Sequence, residues 1–132
     1  MNQSGLCLSK VLRFYKINVE KLIVVYDDIT LDVGGLKLAT TGGNGGHNGI
    51  KDILKYAGGG FVRFRVGIGG KKHPEMDLAD HVLGKITENE RVIFMEKVNE
   101  FIVGLKLVVD KGANLAMNSL NRKKKNNDTD KR

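Results

Sequence analysis

Five of the nine residues from Thr41 to Gly49 are glycine, in the run Thr41-Gly42-Gly43-Asn44-Gly45-Gly46-His47-Asn48-Gly49. No other stretch restricts the fold as tightly. A backbone with so few Cβ atoms can take positive φ and approach a ligand closely. Directly behind it Ile50, Ile53 and Leu54, with Ala57 beyond, recur at helical spacing. The pattern predicts a tight loop feeding a helix that starts near Gly46 to Asn48, with an imidazole and a carboxamide at its mouth. First-turn N–H groups lack helical partners and carry partial positive charge, which suits an anion or a developing oxyanion. Two plainer readings compete: a glycine turn without chemistry, and Asn48 as a simple helix N-cap. The adjoining His-Asn pair favours a site.

The length of 132 residues predicts one domain with a real core, and 41% apolar with 28% charged residues is a globular composition. No apolar run approaches the roughly 18 residues of a membrane span, and the N-terminus shows no signal-peptide pattern. Cys7 is the single cysteine, which excludes an internal disulfide and a thiolate cluster and fits a reducing cytoplasm. Its place in an apolar helical pattern predicts a core residue. The net charge is +7, of which Arg122 to Arg132 contributes +4, leaving +3 for residues 1–121. Residues 122–132 read as a disordered basic tail that solubilises the chain or adds non-specific affinity for nucleic acid.

Taken in order, residues 4–16 read as a helix with Leu8, Val11, Leu12 and Tyr15 along its inner face. Leu22-Ile23-Val24-Val25 is a continuous apolar run, the pattern of a strand covered on both faces. Asp27 and Asp28 follow at its carboxyl end, where α/β sheets bind ligands, although an aspartate there can equally cap the next turn. Leu36 to Thr40 and Phe61 to Ile68 read as further strands; Arg63 and Arg65 in the latter share one face. Gly69 to Glu75 reads as a basic loop, and Asp77 to Leu83 as a short helix. Thr87-Glu88-Asn89-Glu90 is a capping box. The helix it opens carries Phe94, Val98, Phe101, Ile102, Leu105 and Val109 and stops at Gly112. A short segment near Leu115 to Leu120 precedes the tail. Alternating strands and helices predict an α/β fold with a mixed, largely parallel sheet. Three strands are too few to cover such a set of helices, which reads as the later part of a larger fold.

Several blocks together resemble the bacterial-type peptidyl-tRNA hydrolase family. They are Met1-Asn2-Gln3-Ser4-Gly5, Tyr26-Asp27-Asp28-Ile29-Thr30-Leu31-Asp32, Gly42 to Asp52, Phe64-Arg65-Val66-Gly67-Ile68-Gly69 and His81-Val82-Leu83-Gly84. They stand in the family's order from Met1 to about Asn121. The resemblance implies a three-layer α/β/α fold over residues 1–121, followed by the tail at 122–132. It implies hydrolysis, without metal or cofactor, of the ester between a peptide and the 3′ ribose of tRNA. That reaction recycles tRNA for translation in the cytoplasm, by a monomer that holds the acceptor end.

In the family a histidine is the general base and an aspartate orients it; Asp27 matches that aspartate. Asn2 and Asn48 match asparagines that hold the carbonyl and the attacking water, and His47 matches a histidine lining the cleft. Arg65 matches a basic residue near the tRNA 5′-phosphate. A second basic position of the family is Ala39 here, so the phosphate clamp is expected to be either weaker or rebuilt from Lys37 and Lys71. The chemistry fits these residue types, since water needs a base with a near-neutral pKa and the oxyanion needs preorganised donors.

Family members precede the Met-Asn-x-Ser-Gly block with a segment holding a central strand and the catalytic histidine. Met1 matches an internal methionine, so the expectation is an N-terminally incomplete fold with impaired hydrolysis. A non-catalytic RNA-binding relative is the alternative; the Asn2, Asp27 and Asn48 set argues against it. A phosphate-binding α/β domain is a weaker reading still, because no Gly-Lys-Ser/Thr follows the glycine loop.

Overall fold

The computed structural model describes residues 3–70 and 86–130, with side chains described as far as Asn121. Three strands, β1 (Ile23–Asp28), β2 (Leu36–Ala39) and β3 (Val62–Gly67), form one sheet in the order β1-β3-β2. Four helices accompany them among the described residues: α1 (Ser4–Phe14), α2 (Asn48–Tyr56), α3 (Glu88–Lys111) and α4 (Ala113–Asp130). The fold is α/β with a mixed sheet. Val62 donates to Leu22 and Ile68 donates to Asp28, so β1 and β3 advance together and are parallel. Gly67, the last residue of β3, exchanges bonds with Gly34 and Gly35, just ahead of β2, so that pair runs antiparallel. The sheet is mixed, as expected, with one pair of each kind among the described strands.

The chain divides into two compact units, one of Met1–Val24 with Ala39–Arg63 and one of Val25–Leu38 with Phe64–Arg132.

In the first unit α1 packs on α2. The two backbones approach closely: a Cβ on Gly5 would lie 2.0 Å from the carbonyl oxygen of Asp52. The Asp52 carboxylate also accepts the Gly5 N–H at 2.6 Å, capping the first turn of α1 from the neighbouring helix. The buried line of α1 therefore starts at Gly5 and continues through the half-buried Leu8 and Leu12. Val11 and Tyr15, expected inside, are 43% and 66% exposed, and Cys7, expected in the core, is exposed too. The packed face lies one step round the helix from the apolar stripe because a glycine makes the closest approach. Ile50 and Ile53 of α2 and Phe61 complete the buried side of this unit.

The expected strand β1 is present, but its burial differs from expectation. No residue of β1 is fully buried and Val25 is 52% exposed; among the described strands β1 stands at one end of the order and β3 holds the centre. In the second unit Phe64 is fully buried and α3 presents Gly104 to it, with the glycine's Cβ position 3.3 Å from both Phe64 and Leu120 of α4. Val108 and Ala116 are buried beside it, whereas Val98, Ile102 and Val109 face outward. The capping box of Thr87 and Glu90 is formed, and Gly112 ends α3 with φ 90°. Helix α4 closes one sheet edge: the Asn121 carboxamide bonds both backbone groups of Leu38, accepting at 3.4 Å and donating at 3.2 Å. The backbone of α4 continues to Asp130.

Candidate active site

The glycine loop belongs to the first unit, and its shape is set by Arg63. The guanidinium donates from Nη1 to the Gly43 carbonyl at 2.6 Å and from Nη2 to the Gly42 carbonyl at 2.5 Å. Its carbon lies 4.9 Å from the centre of the Phe61 ring, and the side chain is only 4% exposed. Gly42, at φ 138°, has no room for a Cβ without pressing on that guanidinium. Asn44 then folds the loop back, its side chain accepting from Gly46 at 2.8 Å and its carbonyl from His47 at 2.9 Å.

His47 is the N-cap of α2. Its Nδ1 accepts the N–H of Ile50 at 3.2 Å, a cap that leaves the proton of the neutral ring on Nε2. Helical geometry gives the N–H groups of Asn48 and Gly49 no acceptor inside α2. The exposed Asn48 opens the helix without capping it, so the capping role weighed for Asn48 belongs to His47. An imidazole, a carboxamide and first-turn N–H groups thus stand together at one helix mouth.

The second unit carries the carboxylates. Asp27 and Asp28 are the last two residues of β1 and point to opposite faces of the sheet. Asp28 is fully engaged: its Oδ1 accepts the Thr30 N–H at 2.8 Å and the Thr30 hydroxyl at 2.6 Å, and its Oδ2 meets Arg65 Nη1 at 3.2 Å. Burial pushes this carboxyl up, but the Thr30 hydroxyl, the Thr30 N–H, Arg65 and Lys37 together hold it below the usual range. Asp27 is half-buried on the other face.

Arg65 is therefore an ion-paired residue with a buried Nε that has no hydrogen-bond partner. The exposed Lys37 lies close enough to act on the same carboxylate. Arg63, placed with Arg65 by strand parity, is instead a buried clamp on the glycine loop. Sequence reasoning missed both the clamp and the Asp28 pair; strand parity shows which arginines share a face, but not what each one meets. Asn2, Lys71, His73, His81 and the helix expected over Asp77 to Leu83 lie outside the described residues. Among the described residues no three His, Cys, Asp or Glu side chains converge as a metal site, and no helix is long and apolar enough to cross a membrane.

Fold and site define an α/β protein with a histidine-capped glycine loop and an aspartate pair closing a strand. A family model described as peptidyl-tRNA hydrolase matches residues 1–128, and the chain belongs to that family. The peptidyl-tRNA hydrolase of Lachnoclostridium phytofermentans is 40% identical over 127 residues, covering 96% of this chain and 66% of that protein. That of Acinetobacter baylyi is 37% identical over 92% of this chain and 62% of its own length. Among solved structures, peptidyl-tRNA hydrolase from Acinetobacter baumannii superposes with a TM-score of 0.82 at 36% identity, covering 92% of this chain and 61% of the other. The chain spans just under two thirds of the length of these relatives.

Proposed function

We propose that this chain acts on peptidyl-tRNA, as part of an esterase that frees tRNA for translation in the cytoplasm. The observation that carries the reading is the helix mouth of His47 and Asn48, in a chain of this family that keeps Asp27 at the end of β1. Hydrolysis requires water to add to the ester carbonyl, a negative oxygen to form, and the bond to the ribose 3′ oxygen to break as that oxygen takes a proton. Asn48 and the first-turn N–H groups are donors suited to the negative oxygen, since they need no reorganisation as charge develops. Asp27 suits the orientation of an imidazole base, and Asn2 a second hold on the carbonyl or the water. His47 Nδ1 is occupied by the cap, so this residue lines the site through its Nε2 edge. Lys37 and Arg65 supply positive charge for the acceptor end of the tRNA. No step calls for a metal, and the chain is read as a monomer with residues 1–121 as its hydrolase part and 122–132 as a basic extension.

The test measures binding and turnover separately, using N-acetyl-aminoacyl-tRNA and deacylated tRNA. The expected result is preference for the acylated form with slow ester cleavage, lowered further by about 10²–10³-fold in Asn48→Ala, the usual effect of losing one oxyanion donor. Asp27→Asn is expected to reduce cleavage while leaving affinity nearly unchanged. No preference for acylated tRNA combined with no cleavage would sink the proposal.

A further inference from the structure

The first unit holds seven Lys and Arg against two Asp and Glu, a net charge of +5. Two of these cations stand at an open cleft of about 420 Å³ formed by the C-terminal ends of α1 and α2 and the turn after α1. Arg13 and Lys16 line it together with Leu12, Ile17 and Tyr56, with the polar groups of Ser9 and Asn18 at its wall and no acidic side chain. Tyr56 is 43% exposed and has the Lys55 ammonium 5.0 Å from its ring centre. Next to the cleft, Phe14 and Tyr15 make an edge-to-face pair that is largely in solvent.

The backbone adds an independent observation. Helix α1 ends in a tight reversal, with the Ile17 N–H returning to the Leu12 carbonyl at 2.8 Å. The residue that turns the chain there is Lys16 at φ 55°, the only non-glycine residue with positive φ among those described. Glycine or asparagine ordinarily fills this position, because a Cβ is strained in it. The conformation is kept by a lysine all the same, and it puts a cation at the rim of the cleft.

We propose that this cleft binds a nucleotide of an RNA strand, with the phosphate on Arg13 and Lys16 and the base against Tyr56, Leu12 and Ile17. Phosphate paired with cations, and a base lying on an aromatic ring, is the general mode of single-stranded RNA recognition. The Ser9 hydroxyl, which donates to the Leu6 carbonyl, still offers lone pairs to a base edge. The cleft stands at the C-terminal end of α2, roughly 12 Å along the helix from Asn48 at its start. It is thus separate from Asn48 and the first-turn N–H groups, and the proposal does not rest on ester cleavage.

The experiment follows anisotropy of the full chain with three probes: a short single-stranded oligoribonucleotide, deacylated tRNA, and AMP as the free nucleotide. Tyr56→Ala and the pair Arg13→Gln with Lys16→Gly are each expected to weaken both RNA probes about 5-fold or more. The slope of log K against log salt should fall by about 0.7 for each phosphate that no longer meets a cation. Lys16→Gly also separates charge from folding, since glycine accepts this φ and the thermal midpoint should not fall. Unchanged RNA affinity and salt slope in the Arg13, Lys16 pair would overturn the proposal. Loss of AMP binding with RNA binding intact would overturn it as well, by assigning the cleft to free nucleotide. Ester cleavage that drops in these variants while RNA affinity stays put would likewise count against it.

Discussion

Replacing Arg63 by lysine keeps a positive charge in β3 and removes the fork that holds the glycine loop. The guanidinium satisfies the Gly42 and Gly43 carbonyls at once, through two nitrogens in one plane. A lysine ammonium at the end of a flexible stem can reach one of them at best. Hydrogen bonds to a charged group contribute about 1.5–3 kcal/mol each, and the buried guanidinium makes two; Gly42 and Gly43 are exposed, so the carbonyl that loses its donor turns to water and the loss is about one such bond. The packing of the guanidinium on the Phe61 face would go as well. Together these give an expected destabilisation of about 2–4 kcal/mol, a large share of the roughly 5–15 kcal/mol a domain has. In a thermal melt that is a drop in Tm on the order of 10 °C. Urea unfolding of Arg63→Lys beside Arg63→Met checks it, together with affinity for tRNA at fixed salt. If Arg63 clamps the loop, the lysine variant should fare nearly as badly as methionine in both measurements. A lysine variant with a wild-type urea midpoint, and with affinity that only methionine abolishes, would refute the clamp and make Arg63 a phosphate ligand.

Two further outcomes follow from single residues. Gly5→Ala drives a Cβ to within 2.0 Å of the Asp52 carbonyl oxygen, a backbone atom, so α1 must withdraw from α2 and give up its carboxylate cap. A loss of about 3 kcal/mol or more in urea unfolding is expected, and a loss under about 1 kcal/mol would show that the helices are not so closely packed. Asp28 is held below its unfolded value of about 3.9, so its stabilisation is complete above that pH and is lost as pH falls through the lower folded value. Asp28→Asn should therefore flatten the decline of stability below about pH 4; an unchanged decline would mean that the bonds from Arg65 and Thr30 carry no weight.

Much of the chain is legible locally. The capping box at Thr87 and Glu90 and the stop at Gly112 can be read from sequence because a helix end is decided by neighbours within one turn. The glycine loop running into α2 is legible for the same reason, as is the family, since its blocks are contiguous runs of sequence. What sequence alone leaves open is which partner a residue meets. Val11, Tyr15 and Cys7 fit an apolar helix face, yet Gly5 makes the approach because only a residue without a Cβ lets α1 reach Asp52, 47 positions away. Ile23 to Val25 carries the pattern of an interior strand, but among the described strands the order β1-β3-β2 puts it at one end. Arg63 and Arg65 look alike in the sequence. Tertiary structure gave one the carbonyls of a loop about 20 residues back and the other the Asp28 carboxylate, because a charge in a packed interior must settle on whatever acceptor the fold brings within reach.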